Sequence, residues 1–410
     1  MPMKKVELLA PAGSFQKLKT AFHFGADAVY VGGKELSLRA GAENFDRTEL
    51  KEATEYAHSL NKKIYVTVNI YAKNADLDFA KEYFVFLKSI NVDAVIVSDA
   101  GLISIAKEVG IEIHLSTQAN TQNAKAVEFW GKVGATRVVL GRELNLDEIK
   151  EIAKANPTVE LEIFVHGAMC VSYSGRCLLS NYFTGRDANR GECAQICRWD
   201  FKLSHERYED KELIVEEDER GTYFINSKDL NLLPYLPKLL NAGVHSFKIE
   251  GRMKSEYYLA TVVNAYRKAI DECYEFGEVK NLEKYLIDVN SVVSHGYTNA
   301  FIDGQNLDTI NYGSSRVVPK VEFAALVKKG NFLDGTNDEA AVVEMRNRFK
   351  VGDTLTLVSP NDNHGKSFVV QRIINSKGEE IDDAKIVQEQ VTVFAPFKID
   401  EGDVLQIARQ

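Results

Sequence analysis

The 410-residue chain carries a formal net charge of −9 and 45% hydrophobic residues. That length exceeds one typical domain and the composition suits a large folded core, while the charge excludes a global attraction to nucleic acid, so that any phosphate-binding surface must be a local patch. No apolar run approaches the roughly 18 residues of a membrane helix, and Glu7 and Pro11 interrupt the run behind the charged N-terminus as no secretory leader would allow.

Short β-branched runs then alternate with longer amphipathic segments. Strands are expected at Val6–Leu9, Ala28–Val31, Lys63–Asn69, Ala94–Val97, Glu112–Ser116, Arg137–Leu140, Leu161–Val165 and Ser246–Ile249. Most are nearly continuous apolar runs, as in parallel strands buried on both faces. Helical spacing lies between them, at Gln16–Phe24, Arg47–Leu60, Asp76–Ser89, Leu102–Val109, Asn123–Val133 and Leu146–Ala155. Four joins share one phrasing: GADAVYVGG at Gly25, NVDAVIVSDAG at Asn91, GATRVVLGRE at Gly134 and GVHSFKIEGR at Gly243. In each, the glycine or asparagine ends a helix and a short turn feeds a strand. Eight βα units of this kind predict an α/β fold, a TIM-like (β/α)8 barrel, over 1–312. The alternative, a doubly wound open sheet, lacks the Gly-x-Gly-x-x-Gly that should follow its first strand.

The seventh strand runs into a cysteine-rich insertion, 162–230, which an insertion after a barrel strand places on the C-terminal face. Phe201–Leu203 and Thr222–Ile225 are read there as a hairpin, followed by a short helix, Tyr235–Asn241. A helix over Tyr257–Phe276 closes the barrel, 313–320 is a linker, and 321–410 alternates strands and turns as a small all-β domain does.

Four of the five cysteines, Cys170, Cys177, Cys193 and Cys197, fall inside the insertion, with gaps of six, fifteen and three residues. Thiols so crowded can meet only through a metal, a cluster or disulfides. The chain reads as cytoplasmic, where thiols stay reduced, which favours metal. Structural zinc usually takes two close pairs, and only Cys193 and Cys197 approach that spacing; a bulkier iron–sulfur cluster tolerates the wider gaps, with zinc as the alternative. Arg176, Arg186, Arg190 and Arg198 share the segment and would offset a cluster's negative charge or bind a phosphate backbone. Cys273 reads as a buried core thiol.

Strand ends supply the rest of a site. Asn69, Gln118, Arg142, Lys248 and Arg252, with Arg39 from the loop after strand two, suit a small anionic substrate; Arg142 and Arg252 can grip a carboxylate bidentately. Asp99 and Glu143 stand on the same rim. His166 and Glu250 are the candidates for proton transfer. Neither a Gly-x-Ser-x-Gly elbow nor a His-Glu-x-x-His helix is present, so protease chemistry has little support.

ELLAPAGSFQKLKTAFHFGADAVYVGG at the start, EIFVHGAMCVSYSGRCLLS at Glu162, NSKDL, KIEGRMKS and SHGYTNAF at Ser294 together resemble the U32 "collagenase-like peptidase" family along essentially the whole chain. The resemblance is greatest to its branch of prephenate-dependent proteins that hydroxylate the wobble uridine of tRNA at carbon 5. It implies a 4Fe–4S cluster on Cys170, Cys177, Cys193 and Cys197, tRNA as partner, and prephenate, a small dicarboxylate, as co-substrate. The family name implies a protease instead, and a non-catalytic assembly protein stapled by metal is a third reading. Whether the chain works as a homo-oligomer or beside a paired family member is left open. In one departure, Gly296 follows His295 where the family often has arginine.

Overall fold

The structure is a computed structural model that describes residues 5–37, 43–170, 172–173, 177–188, 192–198, 217–218, 221–222, 227–304, 321–333 and 339–409. The linker expected at 313–320 and the run Phe201–Leu203 lie outside these residues; Glu217–Asp218 pairs antiparallel with Gly221–Thr222.

Eight strands form the barrel: β1 (Glu7–Pro11), β2 (Ala28–Gly32), β3 (Lys63–Thr67), β4 (Ala94–Val97), β5 (Ile113–Leu115), β6 (Arg137–Val139), β7 (Glu160–Ala168) and β8 (Ser246–Ile249). Each pairs in parallel with the next, and β8 pairs with both β7 and β1, so the sheet closes. Helices α1 (Phe15–His23), α2 (Arg47–Ser59), α3 (Leu77–Ser89), α4 (Ala100–Val109), α5 (Ala124–Val133) and α6 (Leu146–Ala155) follow the first six strands. Side chains start several of them: Asp46 and Asn145 each complete a reciprocal capping box with the glutamate three residues on. At the end of α3, Asn91 takes a positive φ of 60°, the left-handed turn that the repeated joins implied.

β7 runs three residues past its expected end because a distant segment, Asp229–Asn231, adds to it antiparallel, setting Asp229 opposite Ala168 and Asn231 opposite His166. Along its border with β8 the register slips. Phe164 faces Lys248 and His166 faces Ile249, so β7 holds one more residue than β8 between those pairs. Such a bulge reverses which face the following side chains take.

The barrel interior is divided. Above lies a small apolar layer of Leu9, Ala28, Tyr30, Tyr65, Ala94 and Ile96. Below, at the strand starts, lies a buried ionic network. Arg137 binds Glu7 at 2.5 Å, Glu160 at 2.8 Å and Glu162 at 3.2 Å, while Lys248 reaches Glu162 at 2.7 Å. The Tyr65 hydroxyl donates to Glu7 at 2.7 Å. Burial pushes the Glu162 carboxyl up, but Lys248 and Arg137 outweigh it and hold it below its usual range.

After the short helices α7 (Leu179–Thr184) and α8 (Leu236–Leu240) comes α9 (Glu256–Phe276), in which every residue from Glu256 to Tyr266 is buried. Cys273 lies near its end, buried as expected, its thiol pushed up to about 11 by burial and the neighbouring Glu272. This first half of the helix is enclosed on all sides because the second domain covers what the barrel does not. That domain is an antiparallel sheet ordered Ser367–Val369, Thr354–Val358, Val404–Ala408, Val321–Leu333, Glu339–Met345, Gln390–Ala395, Ile373–Ile374, Glu380–Ile381. Asn264 of α9 donates to the Ser359 carbonyl at 3.0 Å and Tyr257 to Gln406 at 2.7 Å, and Leu326, Val358 and Val404 join the barrel's own core cluster.

Candidate active site

A cavity of about 270 Å³ opens at the C-terminal ends of the strands. Such a cavity admits small molecules or a base, but no folded macromolecule. Asn69, Gln118, Arg142, Lys248, Glu250, Arg252, Arg186 and all four cysteines of the insertion line it. The fold thus brings together thiols and cations that stand up to 110 residues apart, from Arg142 to Arg252. Arg39, Arg176 and Arg190 lie outside the described residues, as does the side chain of Arg198.

Neutral groups hold part of the cationic side. Arg252 is 4% exposed, and its Nη1 donates to Ser37 at 3.0 Å and Thr67 at 2.9 Å. A Cβ on Gly32 would stand 1.9 Å from that nitrogen, so the bare glycine of β2 makes room for the guanidinium. Arg142 lies over the Phe164 ring at 3.9 Å and donates through Nη1 to the Ala168 carbonyl at 2.8 Å. The Asn69 amide donates to Gln118 Oε1 at 2.7 Å. Two buried donors, Arg142 Nε and Gln118 Nε2, have no hydrogen-bond partner among the described residues. Buried donors are nearly always satisfied, so two orphans on one cavity wall call for an acceptor-rich ligand. Lys248 departs from its expected role: it lines the cavity, but its ammonium is committed to Glu162 below, between the rings of Tyr30 and Phe164.

Sequence reasoning missed Tyr30. Its hydroxyl donates to the Ile249 carbonyl at 3.0 Å and to Glu250 Oε2 at 3.2 Å. Burial, then Glu250, push this phenol well above its usual range, so it remains a donor that orients the Glu250 carboxylate. Its inward direction was available from strand parity, one residue from Val29 and Val31.

His166 needs correcting as a catalytic residue. The bulge in β7 turns it away from the cavity, where it is 1% exposed among Tyr258, Tyr266 and Tyr297, with ring centroids 6.1, 5.5 and 5.2 Å away. Burial, assisted by Lys254, lowers its pKa to about 3. The unfolded imidazole titrates near ~6.5, so as pH falls from about 6.5 toward 3 the unfolded chain takes up a proton that the folded chain refuses. Stability is therefore lost over that window at roughly 1.4 kcal/mol per pH unit. Chemical denaturation of His166→Leu is expected to show a loss between pH 6.5 and 5 smaller than wild type's by about 2 kcal/mol; equal slopes would contradict this. Asp99 also leaves the rim and caps α4 through Gly101 and Leu102, while Glu143 pairs with Gln122. His114 of β5 is 1% exposed and packs against Tyr65.

Gly167, at φ 107°, explains how β7 passes the site: a Cβ there would sit 2.5 Å from the Glu250 carbonyl. The strand then delivers Cys170. None of the five cysteines forms a disulfide. The four thiols share one cavity, yet among the described residues no three His, Cys, Asp or Glu side chains are grouped closely enough to hold a metal ion as they stand. In donor type and number the set suits a metal centre bound by four thiolates.

Comparison with known proteins bears on this arrangement. A Bacillus subtilis protein named tRNA hydroxylation protein P1 is 39% identical over 386 residues, covering 93% of this chain and 90% of its own. Escherichia coli tRNA hydroxylation protein P is 40% identical over 428 residues, 92% and 91% of the two chains. A Porphyromonas gingivalis protein named collagenase is 32% identical over 375 residues, 88% of each. Residues 13–311 match peptidase family U32 and residues 320–406 match its C-terminal domain, with the cavity and all four clustered cysteines inside the first match. The chain belongs to peptidase family U32.

Proposed function

We propose that this protein hydroxylates the wobble uridine of tRNA at carbon 5, with a 4Fe–4S cluster on Cys170, Cys177, Cys193 and Cys197 and prephenate as co-substrate, in a reducing cytoplasm. The observation that carries the reading is one cavity in which four thiols face orphaned cationic and amide donors. The names of the bacterial relatives supply the substrate class. A cluster spreads its thiolate ligands over a wider span than the ~2.3 Å bonds of a single zinc ion permit, which suits thiols that share a cavity without converging.

A bound cluster would supply one-electron redox chemistry beside the reacting base. The chain's own residues do the rest. Arg142 and Arg252 grip the two carboxylates of the co-substrate, and Gln118 Nε2 takes a further acceptor. Glu250, oriented by Tyr30, is placed to move a proton at the cavity wall. The uridine must leave its stack to enter so narrow an opening. Among the described residues no helix is long and apolar enough to cross a membrane.

Protein purified without oxygen and mixed with tRNA and prephenate is expected to yield 5-hydroxyuridine by nucleoside mass spectrometry. Arg252→Ala should raise the prephenate concentration for half-maximal rate by about 10- to 100-fold, and Arg252→Lys should recover only part of it. Undiminished hydroxylation without prephenate would remove the co-substrate from the scheme. No product under any condition, together with peptide cleavage that survives iron removal, would support the protease reading.

A further inference from the structure

The mouth of the cavity carries an aromatic surface that the proposed chemistry leaves unused. Of the fifteen exposed large apolar side chains among the described residues, four, Tyr173, Leu178, Tyr182 and Phe183, fall within residues 173–183. This stretch lies between Cys170 and Cys193 and includes α7. Tyr182 is 83% exposed and meets Phe183 edge to face, with ring centroids 5.1 Å apart and planes at 86°. On the same element Leu179 and Ser180 line the cavity, and so does the exposed Arg186 just beyond it. Clustered apolar exposure of this kind is uncommon on a folded surface and marks a contact.

The cavity limits what the contact can be. With about 270 Å³ of space, it receives one group of a larger substrate, and the remainder stays outside against the rim. An exposed pair of rings followed three residues on by an exposed arginine suits unstacked bases and their phosphates, and the RNA substrate of the proposed function selects that occupant over a protein partner. We infer that Tyr182 and Phe183 form a stacking platform for the single-stranded RNA nucleotides flanking the base in the cavity, with Arg186 on the adjoining phosphate. The platform rests on the RNA reading above and extends it. It selects an open loop over a duplex, because a paired base offers no free face to stack on. With a net charge of −9 the chain offers no global attraction to RNA, so stacking on these rings adds affinity that Arg186 supplements as a local cation.

The test is fluorescence anisotropy with anaerobically purified full-length protein, a labelled RNA hairpin whose unpaired loop contains uridine, and the fully paired duplex of the same stem. Tyr182→Ala is expected to weaken hairpin binding by at least about tenfold, Tyr182→Trp to retain it, and the duplex to bind weakly to all three proteins. Tyr182 is so exposed that its truncation leaves the core intact, and unchanged circular dichroism and iron content check this. Hairpin binding by wild type that Tyr182→Ala leaves unaltered overturns the platform while sparing the RNA reading. Failure of wild type to bind either RNA overturns both. A dimer seen for wild type by ultracentrifugation and lost in Tyr182→Ala, with RNA affinity unchanged, would assign the surface to a second copy of the chain.

Discussion

Cys170→Ala is expected to reduce 5-hydroxylated uridine in cellular tRNA to the level of a strain lacking the protein, measured by nucleoside mass spectrometry. Cys170 sits two residues past the end of β7, on the segment that Gly167 lets pass close to Glu250, and its thiol is the most exposed of the four on the cavity wall. A four-thiolate group that loses one ligand loses both charge balance and an anchor. The purified variant should therefore also hold far less iron than wild type and lose its broad visible absorbance. Since Cys170 touches no buried core, the barrel itself should remain folded. Normal tRNA hydroxylation in the variant would refute the role given to the four cysteines. Normal iron with no hydroxylation would separate cluster binding from catalysis.

Arg137→Met should cost about 3–5 kcal/mol of stability, the usual penalty for removing one partner from a buried ionic network. Burial works against the Arg137 charge, but Glu162 and Glu7 more than offset it and keep the guanidinium charged. Without it, Glu162, fully buried, keeps only Lys248, while Glu7 keeps the hydroxyls of Tyr65 and Ser246. Lys248 is the one member of this network that also lines the cavity, so the loss should reach the site as well. The denaturation midpoint in urea measures it, and a change under 1 kcal/mol would show that the network is much less tightly coupled than its distances indicate. Replacing Arg137 and Glu162 together should recover little of the loss, since the buried Lys248 then loses its carboxylate partner and Glu7 still lacks its guanidinium.

Much of this architecture was legible because parallel strands buried on both faces leave an unambiguous pattern. Ala94–Val97 and Ser246–Ile249 begin and end where the sequence pattern placed them. The four cysteines, close together in sequence, do line one cavity. What escaped the sequence depends on long-range pairing. The extension of β7 requires Asp229–Asn231, more than 60 residues on, and nothing local in either segment announces the other. The direction of His166 turns on one extra residue in a strand register, which reverses its face without altering any apolar pattern. Tyr30 was hidden because an aromatic in an apolar run reads as core, and only its hydroxyl reveals that it serves Glu250. Arg252 was expected at the site, but the hollow left for it by Gly32 comes from a strand more than 200 residues earlier.

Helix α9 faces two ways. On one side Tyr266 donates to the Val165 carbonyl at 2.7 Å and Tyr258 to the Glu250 carbonyl at 2.8 Å, bracing the two strands that end at the site. On the other, Asn264 and Tyr257 are fastened to the β domain. A fragment cut at the linker would leave buried helix surface facing water, on the same rod that steadies the strand leading to Cys170. The seam that the sequence draws near residue 320 is thus no seam in the folded protein, and the barrel prepared alone would be a poor surrogate for the whole chain.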